Sequence, residues 1–453
     1  MNFNFIPRIE FKELFVKSNK NLNGINYFRI GVFLLPSAFS VSSIFLIIAL
    51  IINTKSEKIN YFKDYFNYPL FLSGILILIT AISNYLSNSQ IADMRFENRI
   101  QFLLDIANWI PFFYVFSSFG NYLSNTKLRK EFSILLISGS LPIFVSGFYQ
   151  FFLFKFNMPF SLSGPYKLFN GLITWYQYVI QPTGELGVTS IFNNPNYLGC
   201  WLLILLPFSM FLSIQKYEKR YQKIFALSFL ISIVILIALS KSRAALGLLA
   251  LSIPATFELN LLITTLFLIF YLSTNLLIIF FANTDYQSSI KQLIPEQIIN
   301  DFSQSKLLGN PSRELRSDIW SSAINFIKLK PLFGIGAGLF PLVYISRNEL
   351  TEEVNNWVGH THNLFLELAF NYGLILASVI SFFILFLIIK SFFVIRFNKL
   401  KACNSINNFN RAWWAATILL VSSQLVDVQY YDGRISIVFW ILLSGLRAII
   451  KEG

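Results

Sequence analysis

The chain has 453 residues, 55% of them hydrophobic and only 13% charged. A water-soluble chain of this size carries about a quarter charged residues, so a soluble globular enzyme is excluded. The net charge of +13 gathers in short loops between apolar runs, the bias of a cytoplasmic membrane face, so no nucleic-acid partner is expected.

Arg8, Lys12, Lys17 and Lys20 precede the first apolar run without a small-residue cleavage pattern, which reads as an uncleaved first span. The run 29–53 contains Pro36 and the polar cluster Ser37, Ser40, Ser42 and Ser43, and is either one kinked span or a short hairpin. Full spans, each near the 20 residues that cross a hydrocarbon core, are expected at 68–87, 102–120, 132–154, 195–215, 223–240, 243–258, 260–282, 373–396, 411–428 and 435–450. Charge chooses the hairpin. It puts Lys55/Lys58/Lys63, Lys127/Arg129/Lys130, Lys216/Lys219/Arg220/Lys223 and Lys390/Arg396/Lys399/Lys401 on the cytoplasmic side, as basic short loops require. The expected fold is therefore an all-α polytopic membrane protein of about 12 membrane segments, ten full spans plus the N-terminal hairpin. Residues 1–453 form a single integral membrane domain with both termini cytoplasmic.

This topology leaves 155–194, the tight turn around Arg243 and the long segment 283–372 outside. The last is large enough for an external loop subdomain, and an ordered loop of that length usually carries function. Within it, ELRSDIWSSAINFIKL reads as a helix with Ile319, Ala323, Ile324 and Ile327 on one face. Lys330-Pro331 ends that helix, and LFGIGAGLF follows. The glycines Gly334, Gly336 and Gly338 lack the GK[ST] of a phosphate loop, and Leu339 stands where a dinucleotide fingerprint needs its third glycine. They read as a tight turn allowing close packing. Cys200 and Cys403 lie far apart and give neither a disulfide framework nor a zinc spacing.

The only two histidines, His360 and His362, stand in VGHTHNLFLELAFNYG, at the mouth of an apolar run. Thr361 is an N-cap candidate for a helix running on through Phe383. Asn363, Glu367 and Asn371 form a polar stripe at i, i+4, i+8, which must face protein or water, not lipid. A neutral imidazole at the positive end of a helix suits a general base, and an interfacial histidine bonded to a loop is the plainer alternative. His362 and Glu367, five apart, do not share a helix face, so no metal site is expected. Arg243, in ALSKSRAALG, either snorkels to the interface or meets an anion. Arg313 and Arg316, three apart, either pair with Glu314 and Asp318 or offer two guanidinium forks to phosphate. Asp427, Asp432 and Arg434 read as charges of an external turn with Tyr430 and Tyr431 as interfacial anchors. Neither a G-x-S-x-G elbow nor an H-E-x-x-H motif is present.

His362, Asn363 and Gly373, together with NNPNYLGCWLLILLPF, SKSRAALGLLAL and the R-x-x-x-W…P-L-F-G-I-G-A-G-x-F block, resemble in kind and order the O-antigen ligase and polymerase superfamily, over about residues 190–450. The family pattern's second glycine, three residues after the first, is Leu376 here, and no arginine stands beside NNPN. The resemblance implies a membrane glycosyltransferase of lipopolysaccharide or polysaccharide biosynthesis in the bacterial inner membrane, with its site facing the periplasm. It would move a glycan from an undecaprenyl-diphosphate carrier to a hydroxyl of a lipid or glycan acceptor, without metal or cofactor. Carried over, His362 is the base, Arg243 and Arg316 hold the diphosphate with Arg313 beside them, and Asn363, Asn196 and Glu367 support. A small-anion transporter of the bicarbonate type is the alternative. Transporters carry ionisable groups at mid-span, whereas here the distinctive residues fall on one external face.

Overall fold

The computed structural model describes residues 23–57, 61–86, 98–155, 164–168, 173–177, 187–217, 219–257, 316–347, 358–398 and 404–453. The apolar runs become helices because hydrocarbon offers no water to the backbone, and only an internal ladder satisfies its N–H and C=O groups. The first part of the chain forms α1 (Ile25–Leu34), α2 (Phe39–Glu57), α3 (Tyr68–Leu86), α4 (Asn98–Ala107), α5 (Ile110–Ser118), α6 (Thr126–Gly139) and α7 (Leu141–Lys155). A two-stranded antiparallel hairpin follows, β1 (Gly164–Leu168) and β2 (Ile173–Gln177). The helices resume with α8 (Pro195–Ile214), α9 (Arg220–Ser240), α10 (Arg243–Thr256), α11 (Arg316–Leu329), α12 (Phe340–Arg347), α13 (Leu364–Tyr372), α14 (Leu374–Asn398), α15 (Asn404–Ser423) and α16 (Gly433–Glu452). Apart from this short hairpin the described elements are helical, in line with the all-α expectation.

Six helical stretches among the described residues are long and apolar enough to cross a membrane: Tyr65–Asn84, Thr126–Leu153, Pro195–Ile214, Arg220–Ser240, Leu374–Phe397 and Gly433–Glu452. Ile25–Leu34, Phe39–Lys55 and Arg243–Thr256 are shorter apolar helices. The protein is a multi-pass membrane protein. The run 29–53 is two helices, α1 and α2, packed on each other and tied by the Ser42 hydroxyl donating to the Gly31 carbonyl at 2.7 Å. The span expected at 260–282 lies outside the described residues.

Three of the expected spans differ in detail. The run 102–120 is not one helix: the chain breaks at Asn108–Trp109, and Pro111 sits in the first turn of α5, where its missing N–H costs nothing. Residues 132–154 divide into α6 and α7 at Ser140, just before Pro142. The span expected at 411–428 ends at Ser423, because Gln424 turns back on the following loop. Its side-chain oxygen accepts the backbone N–H groups of Gln429 and Tyr430, each at 3.0 Å.

Helices α8 and α16 are the most enclosed spans. Helix α8 packs against α9, α10 and α15, and α16 against α5, α14 and α15. Lipid gives apolar side chains no reason to leave it, so shape and satisfied polar groups hold such a bundle together. Trp201, Trp413 and Trp440 are buried there, and the Trp413 indole N–H donates to the Leu442 carbonyl at 2.9 Å. Ion pairs fasten the far end of α16: Arg129 to Glu452 at 2.6 Å and Arg447 to Asp64 at 3.2 Å.

Helix α11 buries Ile319, Ala323, Phe326 and Ile327 and packs on α13. Ile324, expected on that face, is exposed, because five residues of helix turn it about 140° from Ile319. The glycine-rich turn behaves as a close-packing device. The Ile335 N–H donates to the Phe370 carbonyl at 2.7 Å, and the Leu374 N–H to the Pro331 carbonyl at 2.8 Å. Gly334 has φ 66°, and a Cβ there would lie 2.5 Å from the Asn371 carbonyl carbon. The helix expected from His362 through Phe383 is instead two helices, α13 and α14, divided at Gly373 with φ 89°.

Candidate active site

The site is assembled from helix beginnings. In NNPN, the Asn194 side chain accepts the Asn196 N–H at 2.8 Å and Pro195 occupies the first helical position, so α8 starts there. Lys241, with φ 53°, ends α9, and the next residue, Ser242, caps α10. Asn363, not Thr361, caps α13, its oxygen accepting from Phe365 and Leu366 at 3.0 and 3.1 Å. Thr361 is buried instead: its N–H goes to Glu367 Oε2 and its hydroxyl to the Asn363 carbonyl. Asp432 caps α16.

Asp427, in the loop between α15 and α16, sits where these ends meet. Its Oδ1 lies 2.7 Å from His362 Nδ1 and accepts the Val428 N–H at 3.1 Å. Its Oδ2 accepts from the Asn196 side-chain amide at 2.7 Å, and Asn196 Oδ1 in turn accepts the Ser242 hydroxyl at 2.9 Å. Burial alone pushes the Asp427 carboxyl up; the His362 hydrogen bond and the charges of His362, His360 and Arg316 outweigh it and hold the carboxyl at about 2. An ionised Asp427 accepts a hydrogen bond from His362 Nδ1–H, which leaves the ring's lone pair on Nε2. The His362 side chain is 26% exposed, against 3% for Asp427.

His362 stands in the left-handed region with φ 55°. Its N–H donates to His360 Nδ1 at 3.2 Å. His360 Nε2 is 3.8 Å from Asp427 Oδ1, and the two imidazoles meet edge to face at 4.4 Å. Burial holds the His360 imidazole below its ordinary range; Asp427 pulls it up, and His362 and Arg316 push it down. The donor atoms of His360, His362 and Asp427 all lie within 4.8 Å of one another. Two ligands bound at ~2.0–2.2 Å around one tetrahedral ion stand more than 3 Å apart. The His362–Asp427 distance is a hydrogen-bond separation, so a metal would first have to part them. The arrangement as built is a carboxylate–imidazole pair with a second imidazole behind it.

The polar stripe of α13 faces protein, as its composition demands. Glu367 and Asn371 are buried. Glu367 Oε1 accepts from the Tyr431 hydroxyl at 2.8 Å and from the Asn371 amide at 3.1 Å. With Thr361 on its other oxygen, Glu367 has its lone pairs taken up in holding loops together. Asn363 ties the same two loops, donating to the Leu425 carbonyl at 2.9 Å.

Of the residues singled out in the sequence, the structure brings together His362, Asn363, Asn196 and Glu367. Arg316 opens α11 close enough to act electrostatically on His360 and Asp427, and Arg243 opens α10 beside Ser242. Arg313 lies outside the described residues. Asp427, Ser242 and His360 complete the cluster, and no sequence motif marks them as site residues. Tyr430 is no interfacial anchor: it is buried, stacked on Trp109 at 4.2 Å, and its hydroxyl donates to the Asn108 carbonyl at 3.0 Å. Arg434 pairs with Asp432 and lies over the Phe192 ring at 3.8 Å.

The family model described as O-antigen ligase matches residues 199–381. That segment contains Ser242, Arg243, Arg316, both histidines and Glu367, while Asn196 and Asp427 fall outside it. No curated protein matches the chain. The matched segment is similar to the O-antigen ligase family and supports the O-antigen ligase and polymerase superfamily, with glycan transfer as its general activity.

Proposed function

We propose that the protein transfers a glycan from an undecaprenyl-diphosphate carrier to an acceptor hydroxyl on the outer face of the bacterial inner membrane. The observation that carries this reading is the His362–Asp427 pair at 2.7 Å, made through Nδ1 by a His362 side chain that remains 26% exposed. His362 Nε2 takes the proton of the acceptor hydroxyl as its oxygen bonds to the anomeric carbon. The bond from that carbon to the diphosphate breaks, and the carrier diphosphate leaves with the electron pair. A diphosphate is already a good leaving group, so one base and charge stabilisation suffice. Arg316 and Arg243 hold that charge, and the described residues of the external segment, 316–347 and 358–372, wall the site on its outer side; Arg313, the third arginine of this reading, lies outside the described residues. The polyprenyl tail stays in lipid and enters between spans. Ligation to a lipid core and polymerisation of repeat units both use these parts.

The test is transfer by purified protein from an undecaprenyl-diphosphate oligosaccharide to an acceptor. Wild type is expected to transfer, and His362→Ala and Arg316→Ala to lose nearly all turnover. Full activity in His362→Ala would falsify the mechanism. Glycolipid gels of a deletion strain then distinguish the two products: free long polymer marks a ligase, single-repeat chains a polymerase.

A further inference from the structure

We infer that His360 is a positioning residue that holds His362 in the orientation a base requires. The inference rests on the reading of His362 as that base. His362 has φ 55°, a backbone conformation that a side-chain-bearing residue rarely adopts without support. The N–H that this conformation turns out of the α13 ladder is received by His360 Nδ1 at 3.2 Å. A side-chain acceptor bonding the N–H two residues on is the pattern of an Asx turn, made here by an imidazole.

That bond also fixes the tautomer of His360. Nδ1 is the acceptor, so the proton sits on Nε2, which faces Asp427 Oδ1 at 3.8 Å. This distance is too long for a hydrogen bond, so His360 does not draw Asp427 away from His362, which it meets at 2.7 Å. Edge-to-face contact at 4.4 Å puts the inner ring, 15% exposed, behind the outer one, 26% exposed. Burial holds the His360 imidazole below its ordinary range. Between the two rings, the Thr361 N–H is bonded to Glu367. Each residue from 360 to 362 thus makes a hydrogen bond that ties it in place.

An asparagine at 360 places its side-chain oxygen near the position of Nδ1, whereas alanine leaves the His362 N–H without its acceptor. The test compares wild type, His362→Ala, His360→Ala and His360→Asn with an undecaprenyl-diphosphate oligosaccharide as donor. His360→Ala is expected to lower kcat about 100-fold, the scale of a misplaced catalytic group, with KM for the donor within about twofold. His360→Asn is expected to recover kcat to within about tenfold of wild type by remaking the turn. Unchanged kcat in His360→Ala, where His362→Ala is inactive, overturns this inference and leaves the base reading standing. His360→Asn as defective as His360→Ala, with wild type silenced by a chelator, overturns it in favour of a ligating role. Full turnover in His362→Ala removes the base and this inference together.

Discussion

Asp427 is a buried carboxylate that stays ionised because its hydrogen bond from His362 and the nearby positive charge outweigh the cost of burial. Its pKa of about 2 lies below its ordinary 3.8, so its contribution to stability is present above pH 3.8 and lost as pH falls through about 2. An acid limb in the transfer rate above pH 4 therefore cannot be the protonation of Asp427. Asp427→Asn should keep the shape and lose the function. The amide can present its NH₂ to His362 Nδ1, which moves the imidazole proton to Nε2, where the base is needed. By analogy with the same change in a Ser-His-Asp triad, kcat should fall about 10²–10⁴-fold with KM little changed. Steady-state kinetics check this, and a kcat near wild type would mean that Asp427 does not set the tautomer. His362 was legible in the sequence because histidine is so rare there. Asp427 was legible only as a charge of an external turn: nothing in the sequence pattern aims it at His362, and the turn that does so is shaped by the Gln424 side chain at 424–430. The Asn196–Ser242 link was half legible, since NNPN marks a helix start but says nothing of which carboxylate lies opposite.

The elements around the site are joined by close backbone approaches that side-chain periodicity does not report. The run from Leu364 to Asn398 looks like one apolar helix, yet Gly373 divides it so that the glycine turn can reach the end of α13. A Cβ on Gly373 would lie 2.1 Å from the Leu332 carbonyl oxygen, and φ 89° already disfavours a side chain. Gly373→Ala should destabilise the protein by about 1–3 kcal/mol through backbone strain alone, and by more if Leu332 cannot move. Thermal unfolding in detergent measures it, and an unchanged Tm would show that the turn yields. The same turn meets α4 at Asp105, whose Oδ1 accepts the Ala337 N–H at 2.8 Å while Tyr372 donates to its carbonyl. Burial raises the Asp105 carboxyl from 3.8 to about 7, against the pull of the Ala337 N–H. A raised folded-state value gives stability that is complete below about pH 4 and lost as pH rises through about 7. Wild type should therefore lose Tm between pH 5 and pH 8. Asp105→Asn, neutral at every pH, should flatten that slope and melt higher at pH 8. Equal slopes for the two proteins would sink the assignment.

Across the whole molecule, α8, α10, α13 and α16 begin at the site while α9 and α15 end beside it. The helix beginnings carry partial positive charge, the sign that suits both an ionised Asp427 and an anionic substrate. The basic loops lie at the other end. Lys216, Lys219, Arg220 and Lys223 border the turn from α8 to α9, and Lys390 and Arg396 lie in the last turns of α14. Arg129, near the start of α6, is paired with Glu452 at the far end of α16, roughly 30 Å from the site by helix rise. Charge in the sequence thus sorted the two ends correctly relative to each other, because loop charge depends on composition and not on packing. Where helices break inside the bundle depended on packing and stayed hidden. The positive-inside rule leads to the expectation that the basic end faces the cytoplasm and the His362 end the periplasm, and this is open to test. In a background with Cys200 and Cys403 replaced, Leu425→Cys, exposed beside the site, should react with an impermeant maleimide in cells whose inner membrane is intact. Lys219→Cys, at the opposite end, should react only after that membrane is opened. Labelling in the reverse order would put the His362 end in the cytoplasm, away from any carrier-linked glycan displayed outside, and the proposed reaction would fail with it.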